Sequence, residues 1–331
     1  MLTRQLTPKR LADHLQHSSY RQEYIRRIVH PQDNARKFKF AKFVSMGSKP
    51  EESGSFNNLV ERYEARSGGH SRGLARYLLQ LPEAQGITEE NAYVLDNACG
   101  TGIVTDEILS LARSSGQQAT PRFHLADVSP NMVQMARSKL DSLNVSDRAT
   151  VSTSPGEALD LPSDTFTHSI TNCGILFFKD PQSGAREIHR TLHPNGTAFI
   201  TTWQKFSFFD TVVFPAQKKI RPDDEPFPRP MKQPWYDPAY LEKVLREAGF
   251  RDVQTKIKTV TFGAKSEEEV AAMLADQLEF FVGDKWTAEE KGRFREVVGR
   301  HVKTQAEART LADGSEGVGF PAHGIIAICK K

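Results

Sequence analysis

The chain has 331 residues, of which 38% are hydrophobic, and its formal net charge is only +3. This length is enough for one large α/β domain with insertions or for two domains. The three cysteines form no C-x-x-C pair, no run of 18 apolar residues predicts a membrane span, and residues 1–30 lack the apolar stretch of a signal peptide. These features disfavour a disulfide framework or a zinc site and favour a reducing compartment, so we expect a cytoplasmic protein.

The positive charge is concentrated at the N-terminus, where residues 1–50 contain eleven Lys or Arg against three Asp or Glu. Such an arm can bind nucleic acid or a membrane surface, act as a transit peptide, or form a solvated helical extension, and we favour the extension. Apolar residues at helical spacing predict one or two helices within residues 6–28, and residues 44–55 have the composition of a linker. We expect residues 1–55 to form an N-terminal helical extension that acts as a lid.

A core domain is expected over residues 56–203, beginning with a helix at about residues 58–80 that is interrupted near Gly68. Residues 93–103 then predict a buried strand that ends at Asp96, a loop with Gly100 and Gly102, and a helix. Such a turn places backbone N–H groups and a helix N-terminus at the C-terminal edge of a sheet, where open α/β sheets bind ligands. The glycines let a ligand approach the bare backbone, and the helix end favours a carboxylate or phosphate.

The spacing of this loop excludes two common phosphate-binding motifs. Residues 98–103 read Ala-Cys-Gly-Thr-Gly-Ile, which does not fit the G-x-G-x-x-G dinucleotide pattern. No Gly-Lys-Ser/Thr follows, so the loop is not a Walker motif either. An acid followed by Ala-x-Gly-x-Gly remains, which alone is also compatible with a strand–turn–helix that binds nothing.

A second acid, Asp127, ends the next predicted strand, residues 123–127. Ser129 is expected to cap the following helix, with Pro130 as its first residue. An acid at the end of a second strand can accept hydrogen bonds from both ribose hydroxyls of a nucleoside. Because Asp127 accompanies the glycine loop, we favour this ribose role over that of an ordinary surface acid.

Together these elements resemble the class I S-adenosylmethionine (SAM) methyltransferases, whose first motif has the variant LDxACGTG. The resemblance implies an α/β, Rossmann-like fold: a seven-stranded, mostly parallel sheet with helices on both faces. It implies SAM as cofactor, with Asp96, Ala98, Gly100 and Gly102 around its methionine part. The other positions that the resemblance assigns to cofactor binding are Tyr63, Val128, Met132, Glu157, Ala158, Asn172 and Cys173, with Glu157 and Ala158 at the adenine.

The sequences of residues 94–102 and 202–206 also resemble those of a fungal branch of this class. That branch includes methyltransferases of secondary metabolism, among them the gliotoxin-type thiol methyltransferases. It is similar to the ubiquinone-biosynthesis methyltransferases as well. This resemblance implies a small-molecule acceptor.

The remaining elements complete the predicted core. Strands are expected at residues 149–153, 164–172, 197–203, 253–262 and 323–329, and helices after Asp180 and at residues 240–248, 266–281 and 288–308. Residues 239–331 thus form the C-terminal part of the sheet with inserted helices. Residues 204–238 are rich in aromatic residues and prolines, and we expect an ordered, irregular cap over the crevice. Our candidate substrate-binding residues are Phe177, Trp203, Phe206, Phe209 and Trp235.

Methyl transfer is an in-line substitution that needs the acceptor held close to the methyl group with water excluded. A neutral phenol or thiol must also lose its proton, which a histidine can accept. The histidines show no spacing pattern, so we expect each to be structural or exposed and leave the catalytic residue unassigned; those considered are His30, His70, His124, His168, His189, His193 and His323. No Asp/Glu/His cluster suggests a metal, which disfavours a metal-dependent catechol-type enzyme.

The acceptor class follows by exclusion. The strand expected at residues 164–172 is not followed by an Asp/Asn-Pro-Pro-Tyr/Phe motif. Many enzymes that methylate amino groups of nucleic acids or glutamine carry this motif, so a nucleic-acid acceptor is disfavoured. The aromatic cap favours O-, S- or N-methylation of a small, largely apolar metabolite. A SAM-fold binding or regulatory protein that does not methylate, and an RNA or protein methyltransferase that uses the basic arm, remain as alternatives. Whether the chain forms a homodimer stays open.

Overall fold

An eight-stranded sheet forms the centre of the computed structural model, which describes residues 64, 67–117, 120–276, 282 and 285–331. The predicted N-terminal extension and Tyr63 therefore lie outside the described residues. The strands are β1 Tyr93–Asn97, β2 Arg122–Asp127, β3 Ala149–Thr153, β4 Phe166–Asn172, β5 Leu192–Phe206, β6 Asp252–Ala264, β7 Glu307–Thr310 and β8 Glu316–Lys330.

The strand order is β3-β2-β1-β4-β5-β8-β6, with β7 paired to β8. Neighbours from β3 to β5 are parallel, whereas β8 runs antiparallel to β5, β6 and β7. This topology confirms the expected mostly parallel, Rossmann-like sheet, and the short β7 brings the number of strands from the expected seven to eight. The order reverses between β1 and β4, and open α/β sheets bind ligands beside such a switch point, at the carboxyl ends of the strands.

The helices are α1 His70–Leu78, α2 Ile103–Ser114, α3 Pro130–Ser142, α4 Pro181–Thr191, α5 Phe214–Ile220, α6 Pro238–Glu247, α7 Glu267–Asp276 and α8 Ala288–Gln305. No helix in the described ranges is both long and apolar enough to cross a membrane.

The predicted helix starts beside the crevice are confirmed. The Ser129 hydroxyl accepts a hydrogen bond from the Met132 N–H, so Ser129 caps α3. The Asp180 carboxylate accepts bonds from the first N–H groups of α4. In both helices a proline is the first residue, where its missing N–H costs nothing.

The insertion at residues 204–238 is more regular than the expected irregular cap. Strand β5 continues to Phe206, a π-helical turn covers Phe209–Val213, and α5 follows directly. The expectation was wrong here because most prolines of the insertion lie after residue 220. Pro215 lies in the first turn of α5, a position that tolerates proline.

Candidate functional site

The glycine loop after β1 has a left-handed backbone, with φ of +53° at Gly100 and +80° at Gly102. Residues with a side chain rarely adopt this backbone conformation, which explains why glycine occupies both positions. Apart from its two chain neighbours, no described residue lies within 4 Å of a Cβ atom added at Gly100, whereas one at Gly102 would contact Leu125 at 3.5 Å. The backbone at Gly100 therefore faces a space that a ligand can occupy.

Asp127, at the end of β2, is hydrogen-bonded to this loop. Its Oδ2 atom accepts from the Gly100 N–H at 2.9 Å, and its Oδ1 atom accepts from the Ser129 N–H at 2.8 Å. Burial raises the pKa of this carboxyl group. Each carboxylate oxygen has a second acceptor site, so both remain able to receive a hydroxyl from a ligand.

Asp96, at the end of β1, connects the strand to α2. It is 1% exposed, and its Oδ2 atom accepts a hydrogen bond from the Thr105 hydroxyl at 2.9 Å. Its Oδ1 atom is buried without a hydrogen-bond partner in the described part of the chain. Burial raises the pKa of Asp96 to about 7. A carboxylate with one unpaired buried oxygen favours a nearby cationic group.

The end of β4 and the neighbouring part of β5 meet the N-terminus of α1. The side-chain amide of Asn172 donates to the Ser71 carbonyl at 3.1 Å, and the Thr201 hydroxyl donates to the Asn172 side-chain oxygen at 2.7 Å. The Cys173 N–H donates to the same hydroxyl at 2.9 Å. Burial raises the pKa of the Cys173 thiol to about 11, so it stays protonated at neutral pH. These bonds fix the start of α1 across the edge where the two strands end.

An aromatic cluster lies beside this junction, consisting of His70, Trp203, Phe206, Phe208 and Phe262. The His70 ring lies 4.6 Å from Trp203, 5.5 Å from Phe206 and 5.7 Å from Phe262, measured between ring centroids. Phe208 lies 5.5 Å from Phe206 and 4.6 Å from Phe262. The sequence predicted Trp203 and Phe206 at the acceptor site but treated His70 as structural or exposed. No spacing signal links residue 70 to residue 203, because β5 and α1 meet only in the folded chain.

The other substrate candidates occupy different surroundings. Phe209 packs against Phe206 and Phe208, at centroid distances of 6.3 and 4.9 Å. Phe177 is 50% exposed in the turn that follows β4. Trp235 is buried against Tyr240, the second ring lying 5.0 Å away. The structure thus brings Phe209 to the aromatic cluster and gives Trp235 a partner on α6.

The other cofactor candidates lie around the ends of β2 and β3. Val128 is 57% exposed directly after Asp127, whereas Met132 is buried on α3. Ala158 closes a turn with the Pro155 carbonyl. The Glu157 carboxylate accepts from the Asp180 N–H at 3.4 Å. Glu157 therefore joins the loop after β3 to the start of α4.

An ion-pair network centred on Glu64, which the sequence did not reveal, also contacts the glycine loop. The Glu64 carboxylate accepts from the Thr101 hydroxyl at 3.0 Å and pairs with Arg72 and Lys139. Burial favours a higher pKa for Glu64, but Lys139 and Arg72 outweigh it and lower the pKa. Arg72 also pairs with Glu107 of α2. These partners are far apart in the sequence, so no local pattern signals the network.

Comparisons with known proteins place this arrangement in a family context. Residues 94–196 match a family model described as a methyltransferase domain. The chain is 25% identical over 289 residues to methyltransferase ktnA of Aspergillus niger, covering 78% of this chain and 90% of that protein. It is 27% identical over 210 residues to the ubiquinone/menaquinone biosynthesis C-methyltransferase UbiE of Hydrogenovibrio crunogenus, covering 60% and 80%. It is 25% identical over 255 residues to the acetylaranotin bis-thiomethyltransferase of Aspergillus terreus, covering 74% and 84%.

Proposed function

Because this chain is a class I SAM-dependent methyltransferase, we propose that it methylates an oxygen, sulfur or nitrogen atom of a small, largely apolar metabolite. The observation that carries this proposal is the aromatic cluster of Trp203, Phe206 and His70 beside the ends of β4 and β5. Aromatic walls favour a planar, apolar molecule and exclude water from the reacting atoms.

SAM, the cofactor, supplies an electrophilic methyl group on a sulfonium when it is bound. The open space at Gly100 and the spare acceptor sites of Asp127 fit its nucleoside, and we assign the ribose hydroxyls to Asp127. The exposed Val128 side chain suits one face of the adenine. Asp96, whose Oδ1 atom lacks a described partner, supplies negative charge near the methionine part once that cation favours its ionised form over the neutral form that burial favours.

In this proposal the residues on β4, β5 and α1 orient the acceptor. The bonds among Asn172, Thr201 and Ser71 hold the strand ends and α1 in one arrangement. Trp203 and Phe206, whose centroids lie 4.9 Å apart, then form a fixed wall. A fixed wall lowers the entropic cost of bringing the acceptor atom into line with the methyl group.

The names of the relatives support a role in secondary metabolism. Two of them are fungal methyltransferases, and one name specifies a bis-thiomethyltransferase, whereas UbiE is named a C-methyltransferase. Since these names differ in the methylated atom, they do not select it, and the proposal keeps the oxygen, sulfur and nitrogen acceptors that the sequence favours.

A methyl-transfer assay with labelled SAM tests the proposal. The purified protein is incubated with a panel of apolar thiols, phenols and amines, and in parallel with total RNA and with a protein extract. We expect label in one or more of the small acceptors. Label confined to RNA or protein would contradict the proposal and favour a macromolecular acceptor.

A further inference from the structure

His70 is the first residue of α1, and its ring has one hydrogen-bonded nitrogen. Its Nδ1 atom lies against the carbonyl oxygen of Ser67. A carbonyl oxygen only accepts hydrogen bonds, so Nδ1 carries a proton. In the neutral ring the proton on Nδ1 leaves Nε2 with a free lone pair, and no residue in the described ranges is hydrogen-bonded to Nε2. The structure thus holds the imidazole in one tautomer, with its basic atom hydrogen-bonded to none of the described residues.

The surroundings of His70 keep the ring neutral. Burial lowers its pKa to about 4, although the bond to Ser67 acts in the opposite direction. The start of α1 also presents the positive end of a helix dipole, which disfavours a second positive charge. Trp203, Phe206 and Phe262 surround the ring with apolar surface. These three rings are buried, whereas His70 is only partly buried, so it offers a hydrogen-bond acceptor and no charge to a molecule that lies against its exposed side.

We propose that Nε2 of His70 accepts the proton of the acceptor's hydroxyl or thiol group during methyl transfer. The inference rests on the proposed function. The bond between the methyl carbon and the sulfonium sulfur breaks, the bond between that carbon and the acceptor heteroatom forms, and the heteroatom's proton moves to Nε2. The sulfur becomes neutral as the imidazole becomes cationic, so the positive charge of the site is conserved. As its bond to the methyl carbon forms, the heteroatom develops positive charge and its proton becomes strongly acidic, so even a ring that resists protonation in the resting protein can accept that proton.

The position of His70 supports this role over packing alone. The next residue, Ser71, accepts the hydrogen bond from Asn172, so the ring is held at the end of β4. Trp203, the nearest aromatic ring to His70 among the described residues, follows Thr201 on β5 by two residues. The ring therefore lies between the strand ends and the aromatic walls, where the proposed acceptor binds.

The test compares two thiols that differ in their need for a base. Benzyl mercaptan is mostly protonated at neutral pH, whereas thiophenol is largely ionised. In His70→Phe, which keeps an aromatic ring against Trp203, we expect turnover of benzyl mercaptan to fall about 100-fold or more, a typical effect of losing a general base. Turnover of thiophenol should change less than about threefold, because the ionised thiol needs no base. His70→Gln should show the same selective loss.

His168→Gln is the matched control. His168 is also buried, and burial lowers its pKa to about 4, but it lies earlier in β4 and pairs with Val94 of β1. In this variant we expect no selective loss of turnover for either thiol. Calorimetry with S-adenosylhomocysteine (SAH) should give unchanged affinity in both His70 variants, which shows that the fold and the cofactor site are intact.

Several results would overturn the inference. Equal losses for the two thiols, or no loss, would give His70 a packing role only. Nitrogen NMR of histidine-labelled protein must show Nδ1 protonated and Nε2 bare at neutral pH, and the opposite tautomer would exclude the role. If the wild-type protein binds SAH but methylates no thiol, phenol or amine of the panel, the proposed function fails, and this inference, which rests on it, fails as well. If only the prediction for the His70 variants fails, the proposed function still stands.

Discussion

The backbone N–H of Gly100 donates a hydrogen bond to the carboxylate of Asp127 at 2.9 Å. This bond joins the loop after β1 to the acid after β2, two elements that the sequence identified separately. The acid and the loop therefore form one structural unit, and a change in either should affect the other.

Replacing Asp127 by Ala should lower the affinity for SAM at least tenfold. The variant loses the acceptor for the ribose hydroxyls and leaves the Gly100 and Ser129 N–H groups without their bonds. Each lost bond to a charged acceptor costs roughly 1.5–3 kcal/mol. Calorimetry with SAH measures the effect, with the exposed Asp141→Ala as control. Unchanged affinity in the Asp127 variant would remove the ribose assignment.

The stability of the protein should depend on pH through Asp96. Burial raises the pKa of this carboxyl from 3.8 to about 7, so the folded state keeps a proton that the unfolded chain loses. The free energy of unfolding should therefore fall as the pH rises through this window. Asp96→Asn removes the titrating group. The free energy of unfolding of this variant should therefore fall less between about pH 5 and about pH 8 than that of the wild type. Urea unfolding at the two pH values measures both, and equal losses would contradict the pKa shift.

Ala98 and Gly174 should be energetically coupled. A Cβ atom on Gly174 would lie 2.5 Å from the Cβ atom of Ala98, so Gly174→Ala should destabilise the fold by about 1–3 kcal/mol. Ala98 has a left-handed φ of 55°, which glycine adopts without strain, so Ala98→Gly is tolerated. The double variant should regain more than about 0.5 kcal/mol of the loss. A double-mutant cycle by urea unfolding measures this coupling, and strictly additive effects would show that the two loops do not pack together.

The predicted lid is tested by deleting residues 1–30. We expect SAH affinity to stay within about threefold of the wild type, while turnover of the acceptor falls at least tenfold because water exclusion and acceptor orientation are lost. Calorimetry and the methyl-transfer assay provide the two measurements. Full turnover by the truncated protein would make this segment an appendage or a targeting sequence.

The elements that the sequence predicted well are those with local signals. The glycine loop, Asp127 and the Ser129 cap are each encoded within a few residues, so their positions followed from spacing alone. Strand β3 has the bounds expected from the sequence, Ala149–Thr153. A local pattern is sufficient when neighbouring residues determine the structure.

The features that escaped prediction depend on contacts between distant segments. His70 gains its surroundings from β5 and β6, and Glu64 gains its partners from α1, α3 and the glycine loop. The insertion was misjudged for a different reason: its prolines were weighed over the whole segment, although the π-helical turn and α5 contain only Pro215. Tertiary contacts and the exact position of each proline, rather than composition, decide these cases.

The central claim is that the space at Gly100 holds the cofactor, and a pair of glycine variants tests it most directly. Gly100 and Gly116 both have left-handed φ angles, 53° and 73°, and apart from the chain neighbours of each glycine no described residue lies within 4 Å of a Cβ atom at either position. Valine should therefore strain the backbone similarly at both positions, whereas only Gly100→Val places a side chain where the cofactor lies. We predict that calorimetry will show SAH binding by Gly116→Val at the wild-type affinity and no detectable binding by folded Gly100→Val. Wild-type affinity in Gly100→Val, or equal weakening in both variants, would contradict the account.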